Sequence, residues 1–180
     1  MSPFMLTPHA ALDRCREGGT RQLVLLSGER GAGKTTWCRS LADLAQEQGL
    51  IVAGLASPAV FCDGRKTAID LLDLSCGETR RLAERAGFGT LETAGLGWRF
   101  DPATLAWGNA LIKSAGACDL LMIDEMGPLE FSGRDGFTAG FAVIDACRYR
   151  LAVIVVRPKL MPIALQNWPQ AQIVEPTDTV

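Results

Sequence analysis

Gly28-Glu29-Arg30-Gly31-Ala32-Gly33-Lys34-Thr35 decides the fold. The octapeptide satisfies G-x-x-x-x-G-K-[ST] in full, a spacing whose chemistry is phosphate binding. Glycines let the backbone curl so that successive N–H groups turn inward on a polyphosphate. A helix starting near Lys34 adds the positive end of its dipole. Lys34 is a point charge for β- and γ-phosphates, and the Thr35 hydroxyl is a hard oxygen ligand for Mg²⁺. The expected nucleotide-binding residues are Gly28, Glu29, Arg30, Gly31, Ala32, Gly33, Lys34, Thr35 and Thr36. Arg30 either covers the phosphates or lies in solvent.

The flanks supply the required context. Gln22 to Ser27 is a compact apolar run, typical of a strand buried on both faces. Lys34 to Gln48 reads as a helix: Trp37, Leu41, Leu44 and Ala45 recur at three- and four-residue steps, and Gly49 stops it. Leu50 to Leu55 is a second strand. Ala59 to Cys62 and Ala68 to Leu74 flank Asp63-Gly64 and suggest a hairpin, an insertion over 56–76. Gly77 to Arg85 reads as a short helix with Ser75 available as its cap, and Gly87 to Gly97 as an irregular loop. Asp101-Pro102 opens a helix to about Ala115 as N-cap and first helical residue. Then follow strand Asp119–Ile123, helix Phe137–Cys147, strand Leu151–Val156, helix Lys159–Asn167 and edge strand Ala171–Val174. Strands separated by helices imply parallel pairing with right-handed crossovers. The expected fold is α/β, a mostly parallel sheet with helices on both faces, in one domain over 1–180.

Composition narrows the function. The chain has 180 residues, 48% hydrophobic and 21% charged, enough to bury a core. A net charge of -2 argues against a nucleic-acid backbone as main partner. The longest apolar run, Leu151 to Val156, is too short to cross a bilayer, and the N-terminus shows no basic region followed by an apolar stretch. These features predict a cytoplasmic protein without a membrane partner. Cysteines 15, 38, 62, 76, 118 and 147 lie at least fourteen positions apart, and His9 is the one histidine. Zinc sites bring close Cys or Cys/His pairs, so the cysteines read as reduced, small apolar residues. Trp37 and Trp107 read as helix packing residues rather than base-stacking platforms.

A phosphate loop needs an acidic partner at the end of a neighbouring strand. Leu120-Leu121-Met122-Ile123-Asp124-Glu125 supplies it. Asp124 is assigned to the magnesium shell through water, the alternative being the cap of a following turn. Glu125 is placed to polarise the water that attacks a γ-phosphate, the alternative being a solvated surface residue. Glu130 is a second candidate base or half of an ion pair. Arg157, directly after Leu151–Val156, emerges on the same edge to stabilise charge on a transferring phosphoryl group, or is a surface arginine before Pro158. The expected catalytic residues are thus Lys34, Glu125 and Arg157, and the expected Mg²⁺ ligands Thr35 and Asp124.

Three stretches together, Gly28 to Thr36 (GERGAGKTT), Gly64 to Leu74 (GRKTAIDLLDL) and Ile123 to Phe131 (IDEMGPLEF), carry a family resemblance. The chain resembles the small P-loop nucleoside-triphosphatases of thermophiles, bacteria and animals, the cancer-related nucleoside triphosphatase family. The resemblance covers roughly Leu23 to Val156. It implies a RecA-like P-loop core with an inserted hairpin, and hydrolysis of several nucleoside 5′-triphosphates to diphosphate and phosphate with Mg²⁺. It also favours Glu125 as the base. Two departures stand out: Gly54 to Val60 lacks the family's polar groups after the second strand, and Ile173 to Pro176 replaces an Asn-Arg-Asp ending.

Other P-loop chemistries remain open at this stage. Leu74 to Leu82 resembles the L-S-G-G-Q signature of transporter ATPases but lies far upstream of Asp124, and no N-K-x-D base reader occurs. A small-molecule or nucleotide kinase shares the same cradle and differs by binding an acceptor hydroxyl. A slow nucleotide-dependent switch acting on a protein partner is the third reading, with Gly87 to Gly97, flanked by Trp98 and Phe100 read as exposed, as either its contact surface or a lid.

Overall fold

The computed structural model describes residues 4–17, 21–86, 97–133, 135–146 and 148–177. Among them the chain runs β1 (Phe4–Leu6), α1 (Pro8–Arg16), β2 (Gln22–Leu26), α2 (Lys34–Glu47), β3 (Val52–Ala56), β4 (Ala59–Cys62), β5 (Arg65–Asp73) and β6 (Thr79–Arg85). It continues through β7 (Trp98–Phe100), α3 (Pro102–Ser114), β8 (Cys118–Met126), α4 (Pro128–Phe131), α5 (Ala139–Asp145), β9 (Tyr149–Val156), α6 (Met161–Asn167) and β10 (Gln172–Pro176). A 3₁₀ turn, Pro158–Leu160, leads into α6.

Alternation along the central strands builds two cores. Leu23 and Leu25 of β2, Leu121 and Ile123 of β8, and Ala152, Ile154 and Val156 of β9 share one layer with residues of α3, α5 and α6. Their neighbours Val24, Leu26, Leu120, Met122, Leu151, Val153 and Val155 share the other with α1 and α2. Helices therefore cover both faces, as the unbroken apolar runs predict. Each such large side chain, fully buried, stabilises the fold by about 1.5–3 kcal/mol. Trp37 is buried in α2, and its Nε1 donates to Leu6 O at 2.8 Å, tying that helix to β1. No helix among the described residues is long and apolar enough to cross a membrane.

The strand order is β1-β10-β2-β9-β8-β3-β5-β6-β7, with β4 paired to β5. From β1 to β3 every pairing is parallel, and from β3 to β7 every pairing is antiparallel. The expected hairpin is present, with Asp63 and Gly64 both at positive φ (49° and 71°) in the two-residue turn. That conformation is the one an Asp-Gly pair supplies to a tight hairpin. The antiparallel wing is larger than a hairpin, however, because β6 and β7 extend it.

Four expectations are corrected here. Gly77 to Arg85 is not a helix: Thr79–Arg85 is β6, paired with β5. Its spaced charges mimic a helix surface but serve cross-strand partners, Arg81 to Asp70 at 2.6 Å and Glu84 to Arg99 at 2.9 Å. Ser75 accordingly caps no helix; its hydroxyl donates to Asp73 Oδ1 at 2.7 Å in the turn between β5 and β6. The last strand is not an edge, since β10 lies between β2 and β1. Trp98 and Phe100 are half-buried rather than exposed, the first beneath the Lys66 ammonium, the second against the core. The loop reading for Gly87 to Gly97 lies, apart from Gly97, outside the described residues. The Asp101 cap is as expected, its Oδ2 accepting from Thr104 N at 2.9 Å.

Candidate active site

The carboxyl ends of β2, β3, β8 and β9 meet at one edge of the sheet, where a parallel α/β sheet places its ligand crevice. β2 is anchored first. Ser27 is buried, its hydroxyl donating to Val156 O at 3.0 Å and its N–H to Val174 O at 2.9 Å. The loop from Gly28 leaves this root and ends at Gly33, the N-cap of α2, with φ 78°. A side chain there would be strained, which explains the glycine. Lys34 reaches back across the loop, its Nζ donating to Gly28 O at 2.7 Å and Glu29 O at 2.8 Å. Glu29, Arg30, Gly31 and Ala32 form the exposed rim, and Thr36 is exposed one position beyond Thr35.

Asp124 stands behind the loop, only 2% exposed. The Thr35 hydroxyl lies beside its carboxylate, which accepts from Ser57 N at 3.2 Å. The Ser57 hydroxyl donates to the Asp124 backbone carbonyl. Burial pushes the Asp124 carboxyl up to about 6, against the lowering effect of these donors. Asp124 therefore caps no turn. It forms, with Thr35, a pair of hard oxygens facing the phosphate loop. That donor set fits Mg²⁺, which takes one or two protein oxygens and completes its shell with water and substrate phosphates. No cluster of three or more His, Cys, Asp or Glu suited to a metal occurs among the described residues. Beneath the loop, burial raises the Cys38 thiol well above its ordinary range, so it packs as a neutral side chain.

Glu125 and Arg157 are brought together: Arg157 Nε donates to Glu125 Oε1 in an ion pair at the ends of β8 and β9. The other carboxylate oxygen of Glu125 has no partner in this pair. Glu130 is placed differently. It is 6% exposed, and its oxygens accept from Gly127 N at 2.7 Å and Phe137 N at 2.8 Å. It closes a capping box on α4 and pins the start of the segment leading to α5. Both of its carboxylate oxygens are engaged by backbone amides, a capping role beyond the base or ion-pair half expected of it.

Sequence reading missed two residues at this edge. Ser57 lies in the stretch read as lacking polar groups, yet it holds Asp124 by both its N–H and its hydroxyl. The signal was available: Ser57 directly follows β3, and residues directly after parallel strands face the crevice. Lys66, on β5, lies within electrostatic range of Arg30, Glu125, Arg157 and Asp124. Only the pairing of the wing brings it there.

A family model described as NTPase matches residues 23–167. The chain belongs to the NTPase family. It is 29% identical over 125 residues to the nucleoside-triphosphatase THEP1 of Methanopyrus kandleri, covering 69% of this chain and 64% of that protein. To the protein of the same name from Methanosarcina acetivorans it is 28% identical over 132 residues, 73% and 74% of the two chains. The chain thus spans a little under two thirds of the Methanopyrus protein. Two solved structures share the fold of this NTPase family member. A human cancer-related nucleoside triphosphatase superposes with a TM-score of 0.62 at 17% identity, over 88% of this chain and 90% of the other. THEP1 from the hyperthermophile Aquifex aeolicus gives 0.61 at 15% identity, over 86% and 89%. The P-loop α/β reading of the sequence is borne out by these neighbours.

Proposed function

We propose that this chain hydrolyses nucleoside 5′-triphosphates to the diphosphate and phosphate, with Mg²⁺ bound to the substrate. The observation that carries the reading is the convergence of Lys34, Thr35, Asp124 and the Glu125–Arg157 pair on one sheet edge. The loop amides and Lys34 hold the polyphosphate, Lys34 exchanging its two loop carbonyls for phosphate oxygens. Thr35 and Asp124 would hold Mg²⁺, which supplies charge neutralisation at the β- and γ-phosphates. Ser57 keeps the Asp124 carboxylate aimed at Thr35.

Glu125 uses its second oxygen to orient a water and take its proton. The water oxygen bonds to the γ-phosphorus as the bond to the β,γ-bridging oxygen breaks. That electron pair leaves with the diphosphate, and the proton passes to the released phosphate. Arg157 fixes the Glu125 carboxylate through Nε and keeps its remaining N–H groups for the γ-phosphate, where charge must be stabilised.

The continuous sheet supports treating the chain as one domain with the antiparallel strands as its insertion. The unpaired thiols of Cys15, Cys38, Cys62, Cys76 and Cys118 support a cytoplasmic setting. The test is Mg²⁺-dependent phosphate release from ATP, GTP, CTP and UTP. Release expected from the wild type is lost in Lys34→Ala. Release that requires an added hydroxyl acceptor overturns hydrolysis in favour of a kinase, and tight binding without turnover favours a switch.

A further inference from the structure

Two strands of the antiparallel wing overhang the site. The β3–β5 register pairs Leu55 with Asp73 and Ala56 with Leu72, so β5 continues past the end of β3. From Leu72 back to Lys66 is six residues, about 20 Å of extended chain beyond the point where β3 stops. β4 returns alongside, with Phe61 opposite Lys66. The hairpin is thus held over the crevice that β3, β8 and β9 open onto.

Lys66 is the residue of this overhang whose charge bears on the site. It acts on Asp124 and Glu125 and also on Arg30 and Arg157. Its Nζ lies 5.2 Å from the centroid of the Trp98 ring, so β7 holds it from behind by cation–π attraction. Among the described residues no carboxylate lies within ion-pair distance of it: Asp70 is taken by Arg81, and Glu84 by Arg99 and Arg81. Burial first, then Arg30, disfavours the ammonium, so the protein holds a partly dehydrated cation beside two arginines. Glu125 is engaged by Arg157, and Asp124 by Thr35 and Ser57. Gathering like charges this way is unfavourable until a polyanion arrives between them.

We propose that Lys66 is a cationic contact for the terminal phosphoryl group of the bound triphosphate, supplied in cis from the overhanging hairpin opposite Lys34. Lys34 approaches the phosphates from the loop and Lys66 from above. The charge on the γ-phosphate oxygens is met on both sides while the bond to the bridging oxygen breaks, with the proton and electron-pair movements given above unchanged. The contact discriminates a triphosphate from a diphosphate, because only the terminal group reaches the hairpin. The inference rests on the proposed hydrolase reading.

The test compares Mg²⁺-loaded β,γ-imido analogues of ATP and GTP with ADP and GDP in binding to wild type, Lys66→Gln and Lys66→Arg, alongside phosphate release. In Lys66→Gln the preference for triphosphate over diphosphate falls about tenfold or more, the worth of one charge-assisted contact. Phosphate release falls with it, while diphosphate affinity holds. Lys66→Arg restores most of the preference. A wild-type preference retained in Lys66→Gln overturns the inference alone, as does equal weakening of both ligands, which marks a structural role. A wild type that favours neither triphosphate and releases no phosphate overturns the hydrolase reading and the inference with it.

Discussion

Glu130→Ala separates the two acidic residues of the Asp124–Phe131 stretch that sequence alone leaves as rival bases. In the fold, Glu130 accepts from two backbone amides, Gly127 N and Phe137 N. Truncation orphans both beneath the surface, at about 1–3 kcal/mol each. Relief of the buried carboxylate offsets part of that loss, leaving a destabilisation of about 2–4 kcal/mol. For a chain of this size that corresponds to a drop of about 4–16 °C in Tm. Scanning calorimetry and steady-state kinetics on the same preparation check it: the folded variant keeps kcat within about threefold of wild type, since no reacting atom is touched. The pH dependence carries a second signature. Burial raises the Glu130 carboxyl above its ordinary range, against the lowering effect of its two amide donors. As pH climbs from the ordinary carboxylate range, the unfolded chain releases its proton before the folded one. The folded state then binds more protons, and stability falls until the raised folded value is passed. The wild type's advantage over Glu130→Ala is therefore largest in mild acid and smaller at neutral pH. A variant with unchanged Tm and a hundredfold loss of kcat would refute this assignment and make Glu130 the base.

Glu125→Gln should leave Tm within about 4 °C, because its partner Arg157 is more than half exposed and such ion pairs contribute at most about 1 kcal/mol; kcat should fall about 10²–10⁴-fold with nucleotide affinity retained. Undiminished turnover would place the base elsewhere. Arg157→Ala should lower kcat by about 10²–10³-fold, and the double variant with Glu125→Gln should lose less than the two losses multiplied, since the pair acts together; full additivity in a kinetic double-mutant cycle would show them independent. Ser57→Ala removes the hydroxyl donor to the Asp124 carbonyl while the Ser57 N–H stays. The expected effect is about 1 kcal/mol of stability and a several-fold higher Mg²⁺ requirement in a magnesium titration of phosphate release; a requirement equal to wild type would remove Ser57 from the site.

The parts of this fold written in local pattern could be read directly. The strand–loop–helix around Gly28 to Thr35, the Asp101-Pro102 start of α3 and the Asp63-Gly64 turn each need only neighbouring residues. Asp124 was legible because four apolar residues before an acid mark a strand reaching the crevice. What escaped depends on partners distant in sequence. Thr79 to Arg85 has the charge spacing of a helix, and only the open edge of β5 makes it a strand. The rank of β10 is set by β1, which lies at the other end of the chain. Ser57 was hidden by being small, and Lys66 by lying on a ribbon whose reach depends on the β3–β5 register. Glu130 reads like a second acid at the site until Phe137 N is brought to it by the fold.

The pairing of β8 with β9 slips in register between Ile123 and Met126, and these two residues, an odd number of positions apart, fill the same core. A strictly pleated strand would send consecutive residues to opposite layers and drive one of two adjacent acids under a helix. The dislocation frees Asp124 and Glu125 to serve a common rim with separate duties, one toward α2 and the other toward β9. Inserting a residue between Cys118 and Ile123 would move Asp124 into the place of Glu125 and Glu125 into the core place of Met126, and both duties would be lost. Length variation among relatives should accordingly collect in the overhanging ribbon and spare β8.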